Sequence, residues 1–400
     1  MSIQHIPAPQ AVANGPLAKP FHLACFALCV AHGVFLVGML VQGQWLIDSA
    51  GRGIPTDFVN VWAAGKLALE GSPAAAYDWT IHKQVENGAV GYDFSGYYAW
   101  LYPPPFLAVA ALLALFPYVA AYAAWVAATL PVYLITIRWL VAHRLGYLLA
   151  GAFPTVLSNA IVGQNGFVTA SLIGGTLGFM ERQPVLAGCC LGLLTYKPHF
   201  GILFPLVLIA ARRWTVFFVA AAVGVAMAAA SWLAFGMATW EAFFRELPLA
   251  SRDYLSAGTS DWQKLQSVFG LVRVMGGAEY LAWSLQISLA VFVAVALCIL
   301  WRGRARFELK AAALAAGALL ATPYVYLYDL VVLAIPVALL VRVALKTGFL
   351  RGEGIALVIA AALSFSFPFV KLPVGLAATV LVAALIARRT FFAQSEPTNG

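Results

Sequence analysis

The sequence predicts an all-α polytopic membrane protein, and two observations lead to that fold class. Of 400 residues, 62% are hydrophobic and only 10% are charged, whereas soluble domains carry about a quarter charged residues. The apolar residues also form long runs separated by short charged connections, as in chains of membrane-spanning helices. This composition excludes a disordered chain, a coiled coil, a disulfide scaffold and a secreted enzyme.

Twelve apolar runs are the predicted spans. They are 21–43, 118–140, 146–161, 166–180, 184–196, 199–211, 214–236, 279–301, 308–322, 325–342, 355–368 and 373–388. No small-residue cleavage site follows the first run, so we expect an uncleaved signal anchor. Residues 104–116 lie between prolines and predict a short helix at one face or dipping part-way in. We therefore expect one membrane domain, 21–390, between cytoplasmic tails 1–20 and 391–400.

Lysine and arginine are distributed unevenly among the short connections, which predicts the orientation of the chain. The rich connections carry Arg138, Arg144, Arg182, Arg212, Arg213, Arg302, Arg304, Arg306, Lys310, Arg342, Lys346, Arg351, Arg388 and Arg389. The opposite ones hold only Lys197 and Lys371. By the positive-inside rule the rich connections are cytoplasmic, so the net charge of +8 reflects orientation and not a nucleic-acid partner. Two long connections, 44–103 and 237–278, then lie outside with most of the acids.

The first outer connection contains a candidate base. Thr56 is predicted to cap a helix that runs from Phe58 to a stop at Gly71, with apolar residues recurring every three or four positions. Such a helix would lie flat on the membrane with a polar upper face. It would hold Asp57 over the bilayer surface, where a base must be to act on a lipid-borne substrate. The alternative is that Asp57 only stabilises the helix N-terminus.

Aromatic residues cluster at the end of this connection, where Tyr97, Tyr98, Trp100 and Tyr102 precede three prolines, 103–105. One interpretation is a belt of aromatic side chains at the membrane interface. The other is sugar binding, because aromatic faces stack on sugar rings. The motif does not choose between them.

Polar groups also interrupt the later apolar runs. Gln164 and Asn165 lie between two glycines, which is typical of a tight turn, yet a buried amide near the membrane requires partners. Lys197 and His199 flank a proline that breaks the helix, and together they could hold a phosphate. The alternative is that Lys197 extends to the membrane interface.

Asp329 follows three tyrosines and enters the first turn of a predicted span. An acid within a membrane span usually has a function, although an acid at a helix N-terminus can also be there only because the helix dipole stabilises it. In the second outer connection, residues 261–267 precede an apolar segment, 268–274. There we expect a solvated loop followed by a surface helix, with contact to a polar headgroup as the alternative.

In this order, the segments resemble glycosyltransferase family 87. The resemblance rests on residues distributed over 57–336: Asp57, Phe58, Gly71, Tyr77, Tyr102, Pro103, Pro104, Gly163, Gln164, Asn165, Ala187, Gly188, Lys197, Pro198, Arg212, Arg213, Trp214, Thr322, Pro323, Tyr328 and Asp329. It implies a GT-C-like fold of about 12 transmembrane helices, with two larger outer loops that carry short amphipathic helices. It also implies the inner membrane of a bacterium, with the active site facing the periplasm.

The resemblance further implies a hexosyltransferase that uses a polyprenyl-phosphate sugar, with mannose as the family default, and a lipid or glycan acceptor. Asp57 would be the general base of an inverting transfer. The donor phosphate and sugar would be bound by Lys197, His199, Gln164, Asn165, Tyr102, Tyr328 and Asp329. No cofactor or metal is expected, although the Asp-x-Asp pair of other GT-C families is missing beside Asp57, so the resemblance leaves metal dependence open.

Two other classes compete with the enzyme: a transporter or lipid flippase, and a membrane scaffold. A flippase should place its ionisable residues near the bilayer midplane, along the transport pathway. Here the acids gather on the predicted outer side, and a scaffold needs no such excess. This one-sided distribution favours an enzyme whose site faces the membrane surface.

Overall fold

The computed structural model describes residues 18–258 and 261–395, and the regular elements in this part of the chain are all helices. The predicted all-α class is therefore confirmed. Most of the predicted N-terminal tail, 1–20, lies outside the described residues, as do residues 396–400. The last helix continues to Ser395 because no helix-breaking residue ends it earlier, so it includes residues 391–395 of the predicted C-terminal tail.

Most of the helices follow one another with short connections. In chain order they are α1 Ala18–Val41, α2 Phe58–Leu69, α3 Trp79–Val90, α4 Leu107–Ala114, α5 Tyr118–Val141, α6 Leu145–Ala152, α7 Thr155–Val162, α8 Gly166–Phe179, α9 Pro184–Leu193, α10 Pro198–Gly201, α11 Phe204–Ala210, α12 Trp214–Phe235, α13 Met237–Ser251, α14 Val268–Val274, α15 Glu279–Arg302, α16 Phe307–Ala321, α17 Ala334–Thr347, α18 Glu353–Val370 and α19 Val374–Ser395. Longer connections precede α2, α4 and α14. A 3₁₀ segment, Leu327–Leu333, leads directly into α17.

Among the described residues, seven helical segments are long and apolar enough to cross a membrane, which makes this a multi-pass membrane protein. The number rises to eight if α6 and α7, bent by 61° at their junction, form one span. Other predicted spans fall on shorter helices such as α8. Its 14 residues extend about 21 Å at 1.5 Å per residue, less than the roughly 30 Å of hydrocarbon. Twelve spans therefore remain a prediction.

The helix that follows Asp57 is buried in the protein and does not lie flat on its surface. It begins at Phe58 with Asp57 as the N-cap residue, so the cap predicted at Thr56 was wrong. Eight of its 12 residues are buried, and the predicted polar upper face is absent from this helix. Gly65 explains the packing, since a Cβ at this position would lie 2.0 Å from the carbonyl oxygen of Ala110 on α4. The first outer connection thus packs against the apolar segment 104–116.

Ion pairs hold the opposite end of the bundle together. Lys346, at the end of α17 farthest from Asp329, contacts Glu308 with its Nζ 3.0 Å from Oε1. Close by, the Arg389 guanidinium donates two hydrogen bonds to the buried carboxylate of Glu353. The basic residues of the predicted cytoplasmic connections therefore meet acids from neighbouring connections, which fastens the helix ends to one another.

Replacing Gly65 with alanine should destabilise the protein by about 1–3 kcal/mol, because the new methyl group collides with the backbone of α4. Gly88→Ala is the matched control, since a Cβ at this exposed position of α3 meets no atom within 4 Å. That substitution should stabilise the helix by roughly 0.5–1 kcal/mol. Thermal unfolding in detergent measures both changes, and equal stability of the two variants would contradict the packing of α2 on α4.

Candidate functional site

Asp57 projects its carboxylate away from the helix that it begins. No backbone N–H of α2 donates to its side chain, so it forms no capping hydrogen bond. Instead the Gln164 side-chain amide donates to Oδ2 of Asp57 at 3.2 Å. No described residue donates a hydrogen bond to Oδ1, which leaves this oxygen available to accept a proton. This geometry favours the predicted base over the alternative role of a helix cap.

Two glycines set the position of Gln164. Gly163 has a φ of +67°, and a Cβ there would lie 2.7 Å from the Cβ of Phe58. A Cβ on Gly166 would lie 2.7 Å from the carbonyl oxygen of Tyr328. The turn is therefore pressed between the helix of Asp57 on one side and the segment before α17 on the other. Only glycine allows both approaches, which explains the residues that flank Gln164.

Tyr102 orients the amide of Gln164. Its hydroxyl donates to Gln164 Oε1 at 3.1 Å, so the amide nitrogen points toward Asp57. The carbonyl oxygen of Tyr102 accepts a hydrogen bond from the Tyr77 hydroxyl at 2.7 Å. Trp100 and Tyr102 are 1% and 8% exposed, so these two residues do not belong to an interfacial belt. Their rings pack instead against Phe106 in the core.

Burial raises the pKa of Asp57 to about 6. The Gln164 hydrogen bond and the positive charges of Lys264 and Lys197 act in the opposite direction, while the charge of Asp329 adds to the increase. A carboxyl group with this pKa is mostly ionised at neutral pH but holds a proton far more strongly than an ordinary aspartate. Both properties suit a general base.

Lys197 and Asp329 form a buried ion pair. Nζ of Lys197 lies 2.8 Å from Oδ1 of Asp329, and the two side chains are 7% and 2% exposed. The backbone N–H of Tyr326 donates to the other carboxylate oxygen at 3.1 Å. Lys197 therefore points into the protein, where an acid neutralises it. The pair joins the break between α9 and α10 to the segment that precedes α17.

The remaining predicted site residues surround this pair. The Tyr328 ring centroid lies 5.5 Å from Nζ of Lys197, within range of a cation–π contact. Asn165 is buried, and neither polar atom of its side chain has a hydrogen-bond partner. His199 lies farther to the side, with its ring centroid 6.4 Å from that of Tyr324. His199 is nevertheless linked to the pair by the charge of Lys197. Asn165 is linked to Asp57 through Gln164, whose side-chain oxygen accepts from the backbone N–H of Asn165 at 3.3 Å.

The second outer connection reaches this site, which the sequence did not indicate. Residues 261–267 were expected to be a solvated loop, but Gln266 is buried and its backbone N–H donates to the carbonyl of Val325 at 2.6 Å. Its side-chain oxygen accepts from Gly375 at 2.8 Å. The predicted helix 268–274 is present as α14, although Phe269 anchors it in a small apolar cluster. This docking brings the charge of Lys264 toward Asp57.

A second buried polar cluster lies behind α2 and was also missed. His82 and Glu86 on α3 are fully buried, with Nδ1 of His82 3.6 Å from Oε1 of Glu86. Burial raises the pKa of Glu86 to about 8 and lowers that of His82 to about 4, so both are neutral near pH 7. The Glu86 carboxyl accepts from the backbone of Tyr98, whose hydroxyl donates to the carbonyl of Pro55. This cluster supports the chain just before Asp57.

An apolar groove of about 390 Å³ lies on the part of the bundle formed by α9, α11 and α12. Thr195 and Pro198, which flank Lys197 closely in the chain, line one part of it. The rest is lined by side chains of α9, α11 and α12, among them Leu191, Leu208 and Phe217. The groove is therefore an apolar surface whose lining includes two residues close to Lys197 in the chain.

Removing the charge of Lys197 alone should destabilise the protein by ~3–5 kcal/mol, because Asp329 is left buried without a partner. The double substitution Lys197→Met with Asp329→Leu should regain most of that stability, since no uncompensated charge remains. Thermal unfolding of the Lys197→Met variant and the double variant measures this. If the double variant is as unstable as Lys197→Met, the ion pair with Asp329 is not the contact through which Lys197 stabilises the protein.

Comparison with known proteins identifies the family. Residues 100–323 match the family described as glycosyltransferase family 87. No curated protein and no solved structure gives a significant match. The matched part includes Tyr102, Gln164 and Lys197, whereas Asp57 and Asp329 lie outside it. Because the match covers more than half of a multi-pass membrane chain, the protein belongs to glycosyltransferase family 87 and is a membrane glycosyltransferase.

Proposed function

We propose that the protein is a GT-C-type enzyme that transfers a hexose, mannose by family default, from a polyprenyl-phosphate donor to a lipid or glycan acceptor. The observation that carries this proposal is the pairing of a free, proton-accepting oxygen on Asp57 with a neighbouring buried cation, Lys197. A base and a phosphate-binding group are the two parts that such a transfer requires. The distribution of basic connections supports an outer location for this site, and the family resemblance supports the inner membrane of a bacterium.

Asp57 acts as the general base in this proposal. Oδ1 takes the proton of an acceptor hydroxyl while that oxygen attacks the anomeric carbon of the sugar. The bond from the anomeric carbon to the phosphate oxygen breaks on the opposite face, which inverts the anomeric centre. Polyprenyl phosphate leaves with the bonding electrons as a dianion, so the negative charge of the Asp57 carboxylate passes to the leaving group. Gln164 holds Oδ2 and thereby keeps Oδ1 directed at the acceptor.

Lys197 stabilises the phosphate as its charge increases. In the resting protein Asp329 neutralises this lysine, and the Tyr328 ring covers it. A donor phosphate that shares the ammonium group with Asp329 would gain a charge-assisted hydrogen bond. The unpaired amide of Asn165 and the ring of His199 offer additional polar contacts near the sugar-phosphate. Asp329 then holds Lys197 in position between turnovers.

The apolar groove supports a lipid-linked donor over a soluble nucleotide sugar. Its lining includes Thr195 and Pro198, which are close to Lys197 in the chain, so a donor phosphate held at Lys197 would have an apolar surface nearby for its prenyl chain. Its walls are almost entirely apolar, which suits a hydrocarbon chain. A nucleotide would instead need hydrogen-bonding groups along these walls.

Asp57→Asn should reduce sugar transfer by at least about a hundredfold, because the amide cannot accept the proton. The variant should unfold at the same or a higher temperature than the wild type at neutral pH, since it no longer buries a charge. Protein reconstituted in lipid is supplied with polyprenyl-phosphate mannose and a mixed lipid extract, and released polyprenyl phosphate is measured.

Asp48→Asn is the matched control for this substitution. Asp48 lies in the same outer connection, but its exposed carboxylate pairs with Arg52 at 2.8 Å. Its loss should leave transfer within about twofold of the wild type, since exposed ion pairs contribute little. Full activity of the Asp57→Asn variant would exclude Asp57 as the base. If the wild type transferred sugar only from a donor that is not lipid-linked, and Asp57→Asn abolished that transfer, Asp57 would remain the base and the lipid-linked donor would be wrong.

The pH dependence of transfer should follow the ionisation of Asp57. We expect kcat/KM to rise with pH and to level off above about 6, because only the carboxylate can accept a proton. The increased pKa also means that the native state binds this proton more tightly than the unfolded chain. Ionisation of Asp57 therefore costs stability as the pH rises through about 6. A rate profile that is flat between pH 5 and 7 would contradict this assignment.

A further inference from the structure

A second polar site lies at the opposite end of the bundle from Asp57. It is a cavity of about 280 Å³ between the end of α8, the beginning of α12 and the α15–α16 connection. Its polar walls are formed by Glu181, Arg212, Arg213, Trp301 and Lys310. Helix α12 begins at this cavity and extends for 22 residues, or about 33 Å, toward the outer connections. The cavity is therefore separate from the proposed transfer site.

The cavity concentrates positive charge. Three of its side chains are cationic and one, Glu181, is acidic. Glu181 contacts Arg213 at 3.6 Å, whereas Arg212 forms no ion pair with any described residue. Lys310 donates to the backbone carbonyls of Trp301 and Gly303 at 3.2 and 2.7 Å, which leaves one of its three protons free.

Backbone N–H groups and one buried side-chain donor add to the positive electrostatic potential in the cavity. Helices α12 and α16 both begin at the cavity wall, and neither has a side-chain cap, so the N–H groups of their first turns carry partial positive charge there. Trp301 is 5% exposed and forms part of the wall, yet its indole Nε1 is buried without an acceptor. The cavity thus offers cations and unsatisfied donors of the kind that bind oxyanions.

Exposed apolar side chains lie on the helices α11, α12 and α15, whose ends adjoin the cavity. Trp214, at the first position of α12, is 46% exposed, and Ile209 on α11 is also 46% exposed. Ile299, one turn before the end of α15, is 68% exposed. A ligand that combines a phosphate with hydrocarbon chains satisfies both surfaces, whereas free phosphate satisfies only the cavity.

We propose that this cavity binds a phosphate monoanion, supplied by the headgroup of an anionic membrane phospholipid. The phosphate would contact Arg212, Arg213 and Lys310, and the acyl chains would lie along Trp214 and Ile299. Basic cavities between helices on the cytoplasmic side bind anionic headgroups in this way. The site is independent of the transfer reaction, and its occupancy would fasten α12 and α16 to the inner leaflet.

Native mass spectrometry of the purified protein in detergent tests this proposal. The protein is titrated with phosphatidylglycerol, with phosphatidylcholine of the same acyl chains, or with inorganic phosphate. We expect one phosphatidylglycerol per chain to bind with a Kd about tenfold or more below that of phosphatidylcholine. Arg212→Gln combined with Arg213→Gln should raise that Kd by about tenfold or more, whereas lysine at both positions should retain most of the affinity.

Arg144→Gln combined with Arg351→Gln is the matched control, because it removes two positive charges from other connections of the same predicted face. This variant should bind phosphatidylglycerol as the wild type does. Equal affinity for the two lipids, or equal losses in the glutamine variant and the control, would overturn the site. Displacement of phosphatidylglycerol by inorganic phosphate at equal concentration would overturn the lipid assignment and identify a soluble phosphate ligand.

Discussion

The buried ion pair between Lys197 and Asp329 is the contact on which the candidate site depends. Both residues interrupt apolar runs, and a lone charge at either position would cost several kcal/mol. Their pairing at 2.8 Å lets two breaks in the helical bundle lie side by side. Those breaks expose backbone and polar side chains within an otherwise apolar environment, which suits the lipid-linked donor that we propose.

Close backbone contacts then bring Asp57, the proposed base, to this pair. Glycines 163 and 166 allow one turn to touch both the helix of Asp57 and the backbone of Tyr328. Gln164, at the centre of that turn, bonds directly to Asp57. The family match begins at residue 100, so Asp57 comes from a segment outside it and is positioned by residues within it. Packing against these residues both fixes the position of Asp57 and buries its carboxyl group, and this burial raises its pKa.

The two ends of the bundle use charge in opposite ways. At the end with Asp57, acids are buried, and cations such as Lys197 partly compensate them. At the other end, arginines and lysines outnumber acids, and some of their donors have no partner. Helix α12 runs between these ends, and the outer connection that follows it contacts Tyr77 through Phe243. The same charge asymmetry that orients a chain in a membrane thus also provides a phosphate-binding cavity.

Composition and the order of apolar runs determined the all-α membrane class, the family resemblance and the identity of the polar segments. Those properties depend on residues close together in the chain. Tertiary structure alone decided that α2 is buried against α4, that Gln266 docks beside Val325, and that Lys197 pairs with a residue 132 positions away. Periodicity records which positions are apolar, but it does not record which distant segment covers them. The partners of Asp57 and Lys197 could therefore be found only in the folded chain.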